Sequence, residues 1–313
     1  MDLAKVIRAD FGSDLTIRNK YSPRERLVGF LTLVRPIFLF MTPLNAASAA
    51  VLSIRGFPSW QLCLIGFITA AFAAAGVNTF NKYTDRGRDK IIWPLRSIPA
   101  GRVSPGQALI LAIACYAISL ALCWVFFNPV SFFILLAASV LGSLYSSHLR
   151  DRVGYLSLPP IEGLIFLCGW ACFSPGTVFT SILPWYLYLL GLVWQSGHIM
   201  AHYVLHIRYD ENDRPVVLTP VLFSRPSPQA ASRITMGLTI LLFVMSIFLP
   251  LLTPLSYLYL VPVVLFGIYT IYRCTAFLKT SQDSKILHRA WSALSLFRMI
   301  ISAGILVSVL IYH

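Results

Sequence analysis

The sequence predicts an all-α polytopic membrane protein that crosses the bilayer nine times. Three observations lead there. First, hydrophobic residues make up 57% of the 313 residues and charged residues only 12%, about half the charged share of a soluble domain; mean hydropathy is +0.74. Second, nine apolar stretches approach or exceed the roughly 20 residues that a helical crossing needs. Third, Lys and Arg alternate between connections in the way nine crossings require.

The stretches follow in order. The first, 28–52, ends at a short connection around Arg55. The second, 60–82, leads into the long connection 83–105. The third and fourth, 106–126 and 129–148, meet at Asn128, and the fourth runs out at Arg150 and Arg152. The fifth, 156–176, is joined to the sixth, 184–206, by a short link over 175–183. A second long connection, 207–233, precedes the seventh and eighth, 234–253 and 256–273, which are joined over 253–255. Lys279 and Lys285 lie before the ninth, 291–312. Pro36, Pro43, Pro159, Pro160, Pro184 and Pro262 fall inside or at the ends of these stretches, which membrane helices tolerate.

With that numbering, 22 of the 25 Lys and Arg fall on one side. Arg35 and Arg298 lie within spans and only Arg55 lies opposite. The bias places the N-terminus and the long connections in the cytoplasm and the C-terminus outside. Removing one span would scramble the alternation. The formal charge of +13 is thereby explained by membrane orientation rather than by nucleic acid. The domain division is a cytoplasmic arm, 1–27, without the apolar core of a signal peptide, and one transmembrane domain, 28–313. The six cysteines all lie in or beside apolar stretches, with no Cys-x-x-Cys pair, and read as buried small hydrophobes.

Polar chemistry gathers at the cytoplasmic end. Asn81, Asp85 and Asp89 are spaced by four, which on a helix stacks three oxygen-bearing side chains on one face. Such oxygens suit a hard cation such as Mg²⁺. Arg86, Arg88, Lys90, Arg96 and Arg102 follow at once, so the same place can hold polyanionic phosphate. An oxygen-ligand site beside basic residues at a membrane surface suits a lipid diphosphate. Membrane orientation alone also accounts for Lys90, Arg150 and Arg152. Gln195, His198, His202 and His206 form a second polar stripe on the sixth stretch. It reads as an acceptor-binding or proton-accepting face, as a metal-ligand set, or as a polar seam between helices. Glu162 and Arg298 are ionisable residues inside apolar spans, and Arg298 has the reach to pair with a carboxylate.

Asn81-x-x-x-Asp85-x-x-x-Asp89, followed by Arg96-Ser-Ile-Pro-Ala-Gly-Arg102-Val-Ser, resembles the first aspartate-rich motif of the UbiA superfamily of intramembrane prenyltransferases. Arg35-Pro36 and Tyr145-Ser146 with Arg150 and Arg152 fit the same resemblance. It implies nine transmembrane helices around a central cavity, Mg²⁺ as cofactor, and a prenyl diphosphate donor whose tail lies in a channel open to membrane lipid. The usual second aspartate pair is missing. The run Trp194-Gln195-Ser196-Gly197-His198 with a later acidic segment is partly similar to the protoheme IX farnesyltransferase branch. It differs at Ser196-Gly197, where a proline is expected, in loop spacing, and in carrying His202 and His206. Asp210 and Asp213 are the candidates to replace the missing pair and hold metal.

The expected activity is Mg²⁺-dependent transfer of an isoprenyl group to a hydrophobic acceptor, aromatic or porphyrin-like, within the membrane. Asn81, Asp85, Asp89, His198 and His202 are the expected catalytic set. Arg96, Arg102, Lys90, Arg150, Arg152 and Gln195 are expected around the diphosphate. A terpene cyclase on the same scaffold is the alternative. A metal or proton carrier using the histidines is a third reading, which leaves the Asn-Asp-Asp ladder unexplained.

Overall fold

The computed structural model describes residues 21–205, 207–209, 215–216, 219–253, 255–279 and 283–312. His206, Asp210, Glu211 and Asp213, and the arm before residue 21, lie outside them. The described chain is helical apart from one short antiparallel ribbon, in which Arg208 pairs with Val216 and Tyr209 with Pro215.

The first expected span is two helices, α1 (Pro23–Val34) and α2 (Phe38–Ile54). The cause is local. Pro36 has no amide N–H and disfavours the helical conformation in the residue before it. Arg35 accordingly sits in the left-handed region, with φ 53° and ψ 81°. The second span continues far past its expected end as α3 (Trp60–Ile92), capped by Ser59. Asn81, Asp85 and Asp89 are therefore all on one continuous helix. Next come α4 (Pro105–Phe126) and α5 (Pro129–Leu144), each with a capping box and a proline in the first turn. A π-helical turn, Tyr145–Leu149, extends α5 to Arg152.

The fifth stretch gives only a 13-residue helix, α6 (Pro159–Ala171). Its start is set by Pro159-Pro160. The remaining helices are α7 (Ile182–Leu205), α8 (Pro228–Leu252), α9 (Leu260–Lys279) and α10 (Ser284–Tyr312). Among the described residues, seven helices are long and apolar enough to cross a membrane. The first of these joins α1 and α2. Neither α6, which is too short, nor α7, whose polar stripe dilutes its apolarity, is among them. The protein is an integral membrane protein, and its outward faces carry exposed Trp60, Val125, Leu265 and Ile268.

From α2 onward consecutive helices pack as neighbours, α1 packs on α3, and α10 closes back on α2 and α7. The main core lies where α2, α6, α7, α8 and α10 meet, around Phe166, Leu187, Trp194, Leu242 and Phe297. One approach is unusually close. A Cβ on Gly169 of α6 would stand 2.1 Å from the Ala46 carbonyl oxygen of α2. Elsewhere, two connections join backbone to backbone. Tyr155 and Leu156 donate to the carbonyls of Pro220 and Val221, and Phe223 donates to that of Val153. Gly154 allows this, at φ +120° and with its Cβ position filled by the Val221 carbonyl.

Candidate active site: an ion-paired rim on an apolar cavity

A cavity of about 460 Å³ lies among the helices. Its wall follows α3 from Leu62 to Ile92, about 45 Å of helix at 1.5 Å per residue. Along the first half of α3 the lining is apolar apart from Thr69, with Gly66, Phe67, Ala70, Ala73 and Val77. Along the second half it is Asn78, Asn81, Lys82, Asp85, Arg88 and Asp89. The four members Asn78, Lys82, Asp85 and Asp89 recur at intervals of four, three and four, which keeps them on one helical face.

Ion pairs hold this polar end. The Arg150 guanidinium grips Asp85 with both nitrogens, Nη1 to Oδ2 at 2.8 Å and Nη2 to Oδ1 at 2.5 Å. The π turn delivers Arg150. Its backbone N–H bonds to the Tyr145 carbonyl, five residues back, and Tyr145, Ser146 and Arg150 all reach the cavity wall. A local register shift of this kind often marks a functional site. Asn81 Nδ2 donates to Ser146 Oγ at 3.3 Å, tying α3 to that turn. Arg88 stands 3.9 Å from Asp85 and 2.6 Å from Asp151.

Asp89, only 3% exposed, pairs with Arg96 Nη1 at 2.6 Å and faces Lys82 Nζ at 3.8 Å. Turns over 93–103 fold Arg96 back onto α3. The Trp93 N–H bonds to Asp89 O, that of Arg96 to Trp93 O, and those of Arg102 and Val103 to Ser97 O. Arg35, displaced from its helix by Pro36, also lines the cavity. It lies within electrostatic reach of Asp85, Asp89 and Arg96.

The α7 stripe forms another wall. Gln195, His198 and His202 all line the cavity. The His198 ring lies between Trp194, stacked at 4.7 Å, and Trp291 of α10, at 4.9 Å. Neither His198 nitrogen has a hydrogen-bond partner, nor do Gln195 Oε1 and Trp291 Nε1. Trp194 is held in turn by its Nε1 bond to Leu294 O at 2.8 Å and by Arg298, 4.0 Å from its ring centroid. Arg298, 2% exposed, makes an ion pair with Glu162. That pair accounts for both intramembrane charges, and Glu162 also reaches the cavity wall. His202 meets Tyr155 edge-on at 6.1 Å.

Of the expected residues, the cavity brings together Asn81, Asp85, Asp89, Arg96, Arg150, Gln195, His198 and His202. Lys90 and Arg152 are exposed and outside its lining. Arg102 is also outside the lining and donates to the Leu95 carbonyl at 2.6 Å, bracing the 93–103 turns. Asp210 and Asp213 fall outside the described residues. Lys82, Asn78, Tyr155 and Trp291 line the site without having been singled out by spacing. The four-three-four recurrence was the signal available for the first two.

One oxygen of Asp89, Oδ2, is buried without a hydrogen-bond partner, and Asp85 Oδ1 is held by arginine ion pairs alone. Among the described residues no three His, Cys, Asp or Glu converge as a complete metal cluster. Two carboxylates and an amide fit Mg²⁺, which takes one or two carboxylates and completes its shell with water and substrate phosphate.

A sequence model of the UbiA prenyltransferase family matches residues 41–300. The chain is 28% identical over 200 residues to a protoheme IX farnesyltransferase of Paenarthrobacter aurescens, covering 61% of this chain and 59% of that protein. It is 28% identical over 192 residues to a digeranylgeranylglyceryl phosphate synthase of Methanospirillum hungatei, covering 59% of this chain and 63% of that protein. The matches thus span about three fifths of these relatives. A solved UbiA homolog from Archaeoglobus fulgidus, bound to DMAPP and Mg²⁺, shares the fold with a TM-score of 0.54 and 19% identity, over 89% of this chain and 99% of that one.

Proposed function

Since the chain belongs to the UbiA prenyltransferase family, we propose that it transfers an isoprenyl group from a prenyl diphosphate to a hydrophobic acceptor, aromatic or porphyrin-like, inside the membrane. The observation that carries the reading is the cavity itself. A long apolar track ends in a rim where Arg35, Lys82, Arg88, Arg96 and Arg150 outnumber Asp85 and Asp89. The track suits an isoprenoid tail, and the cationic end suits its diphosphate.

Asn81, Asp85 and Asp89 are the residues to hold Mg²⁺, with Asp210 and Asp213 as further candidates. When bound, Mg²⁺ screens phosphate charge and stabilises the departing diphosphate. Arg150 and Arg96 now neutralise Asp85 and Asp89. A polyanion in the cavity gives those guanidiniums a stronger partner and releases carboxylate oxygens. As the allylic C–O bond breaks, its electron pair leaves with the diphosphate, and the arginines are already in place to stabilise that charge. The apolar wall excludes water from the cationic carbon. The acceptor then attacks and loses a proton. His198, packed against two tryptophans and unpartnered at both nitrogens, is our candidate to bind the acceptor or take that proton.

We place nine helices across the bilayer, with α6 and α7 completing the set. The N-terminus and the ion-paired rim then face the cytoplasm and the C-terminus lies outside. The test is product analysis by mass spectrometry. Purified protein is given a panel of prenyl diphosphates and Mg²⁺, with and without phenolic and porphyrin acceptors. A prenylated acceptor supports the proposal. A cyclic hydrocarbon or alcohol released from the diphosphate alone supports the cyclase reading instead.

A further inference from the structure

Lys82 is a buried cation of α3 without a hydrogen bond to its ammonium. The residue is 7% exposed and is part of the cavity lining. Nζ has no hydrogen-bond partner. The nearest carboxylate oxygen, Asp89 Oδ2, is 3.8 Å away, within ion-pair range but beyond hydrogen-bond reach. Arg96 holds the other oxygen of Asp89 at 2.6 Å. Arg35, Arg96, Asp89 and Asp85 all lie within electrostatic reach of Lys82, so it stands among two like and two opposite charges. A buried ammonium that makes no hydrogen bond and has only a long ion pair is costly to fold. The cost is relieved if a multiply charged anion occupies the cavity beside it.

We propose that Lys82, with Arg35 of the same cavity lining, forms a metal-independent anchor for the diphosphate group, so that the donor is held before Mg²⁺ arrives as well as after. This rests on the prenyl diphosphate reading above. Seven residues separate Lys82 from Asp89, which puts them on nearly the same face of α3. The anchor therefore stands directly beside the expected metal ligands. Its charge is tethered to the chain and needs no metal concentration to be present. A compact ammonium with three donors suits non-bridging phosphate oxygens. Lys82 is thus a substrate-anchoring residue.

The test is calorimetric titration of the purified full chain with inorganic pyrophosphate, once in EDTA and once in excess Mg²⁺. Wild type, Lys82→Met and Lys82→Arg are compared, each checked for a wild-type melting transition. Wild type is expected to bind pyrophosphate in EDTA. Lys82→Met is expected to bind at least about tenfold more weakly there, with a smaller loss in Mg²⁺, while Lys82→Arg retains most of the affinity. Equal affinity of wild type and Lys82→Met in EDTA overturns the anchor. So does wild-type binding that appears only with Mg²⁺, a result that needs no variant to fold. Inorganic phosphate binding as tightly as pyrophosphate overturns the assignment to a diphosphate. Failure of wild type to bind pyrophosphate in either condition sinks the donor reading itself rather than the role of Lys82.

Discussion

Asp85 serves two requirements that a variant series can separate. It is a candidate metal ligand, and it is also the counter-charge of buried Arg150. Asp85→Ala is expected to abolish turnover and also to lower stability, because removing one partner of a buried ion pair costs about 3–5 kcal/mol. The double variant Asp85→Ala, Arg150→Met is expected to recover much of the lost melting temperature but none of the turnover. Recovery of activity in the double variant would refute a ligand role. The basic residues divide in a similar way. Arg96→Gln removes a cavity cation and is expected to raise KM for the prenyl diphosphate at least about tenfold, by loss of a charge-assisted contact. Lys90→Ala and Arg152→Ala, at exposed positions outside the lining, are expected to leave KM within about twofold. Spacing alone showed the ladder of Asn81, Asp85 and Asp89. It did not separate Lys82 from Lys90, because both add one positive charge to the same connection. Their difference is an angle of about 80° around α3, which becomes meaningful only once α3 is known to continue to Ile92.

The elements show which local rules were strong. Pro36 ends α1 and turns Arg35 into the cavity, a break that follows from one ring and a missing N–H. The sequence carried that rule, yet an unbroken span was expected from apolarity alone. The overrun of α3 was hidden for the opposite reason. Its charged last turns looked like a loop, but Arg150, Arg96 and Ser146 from other segments satisfy them. The close approach of α6 to α2 gives a stability prediction. Gly169→Ala puts a methyl 2.1 Å from the Ala46 carbonyl oxygen. Such overpacking costs about 1–3 kcal/mol and is expected to lower Tm in a thermal melt in detergent. Gly176→Ala, where no atom lies within 4 Å of the new Cβ, is expected to leave Tm unchanged. Equal shifts for the two variants would show that the helices part easily at that contact.

On the scale of the whole molecule, nine crossings require the two termini to lie on opposite sides of the membrane. An alkaline phosphatase fusion at the C-terminus is therefore expected to be active, and one at the N-terminus inactive. Equal activity of the two fusions would overturn the count. Chelation of Mg²⁺ by EDTA is expected to abolish prenyl transfer, with readdition restoring it. Composition, hydropathy and the bias of basic residues determined by themselves that this is a helical membrane protein, because burial in lipid constrains every residue of a span. The four-residue spacing determined which face of α3 carries the oxygens, since helical geometry is local. Only the tertiary structure decided that Arg150 meets Asp85, 65 residues away, and that Arg298 meets Glu162. It also decided that His198 packs against both Trp194 and Trp291. Those pairings depend on how separate helices cross, and no spacing within a single helix encodes that.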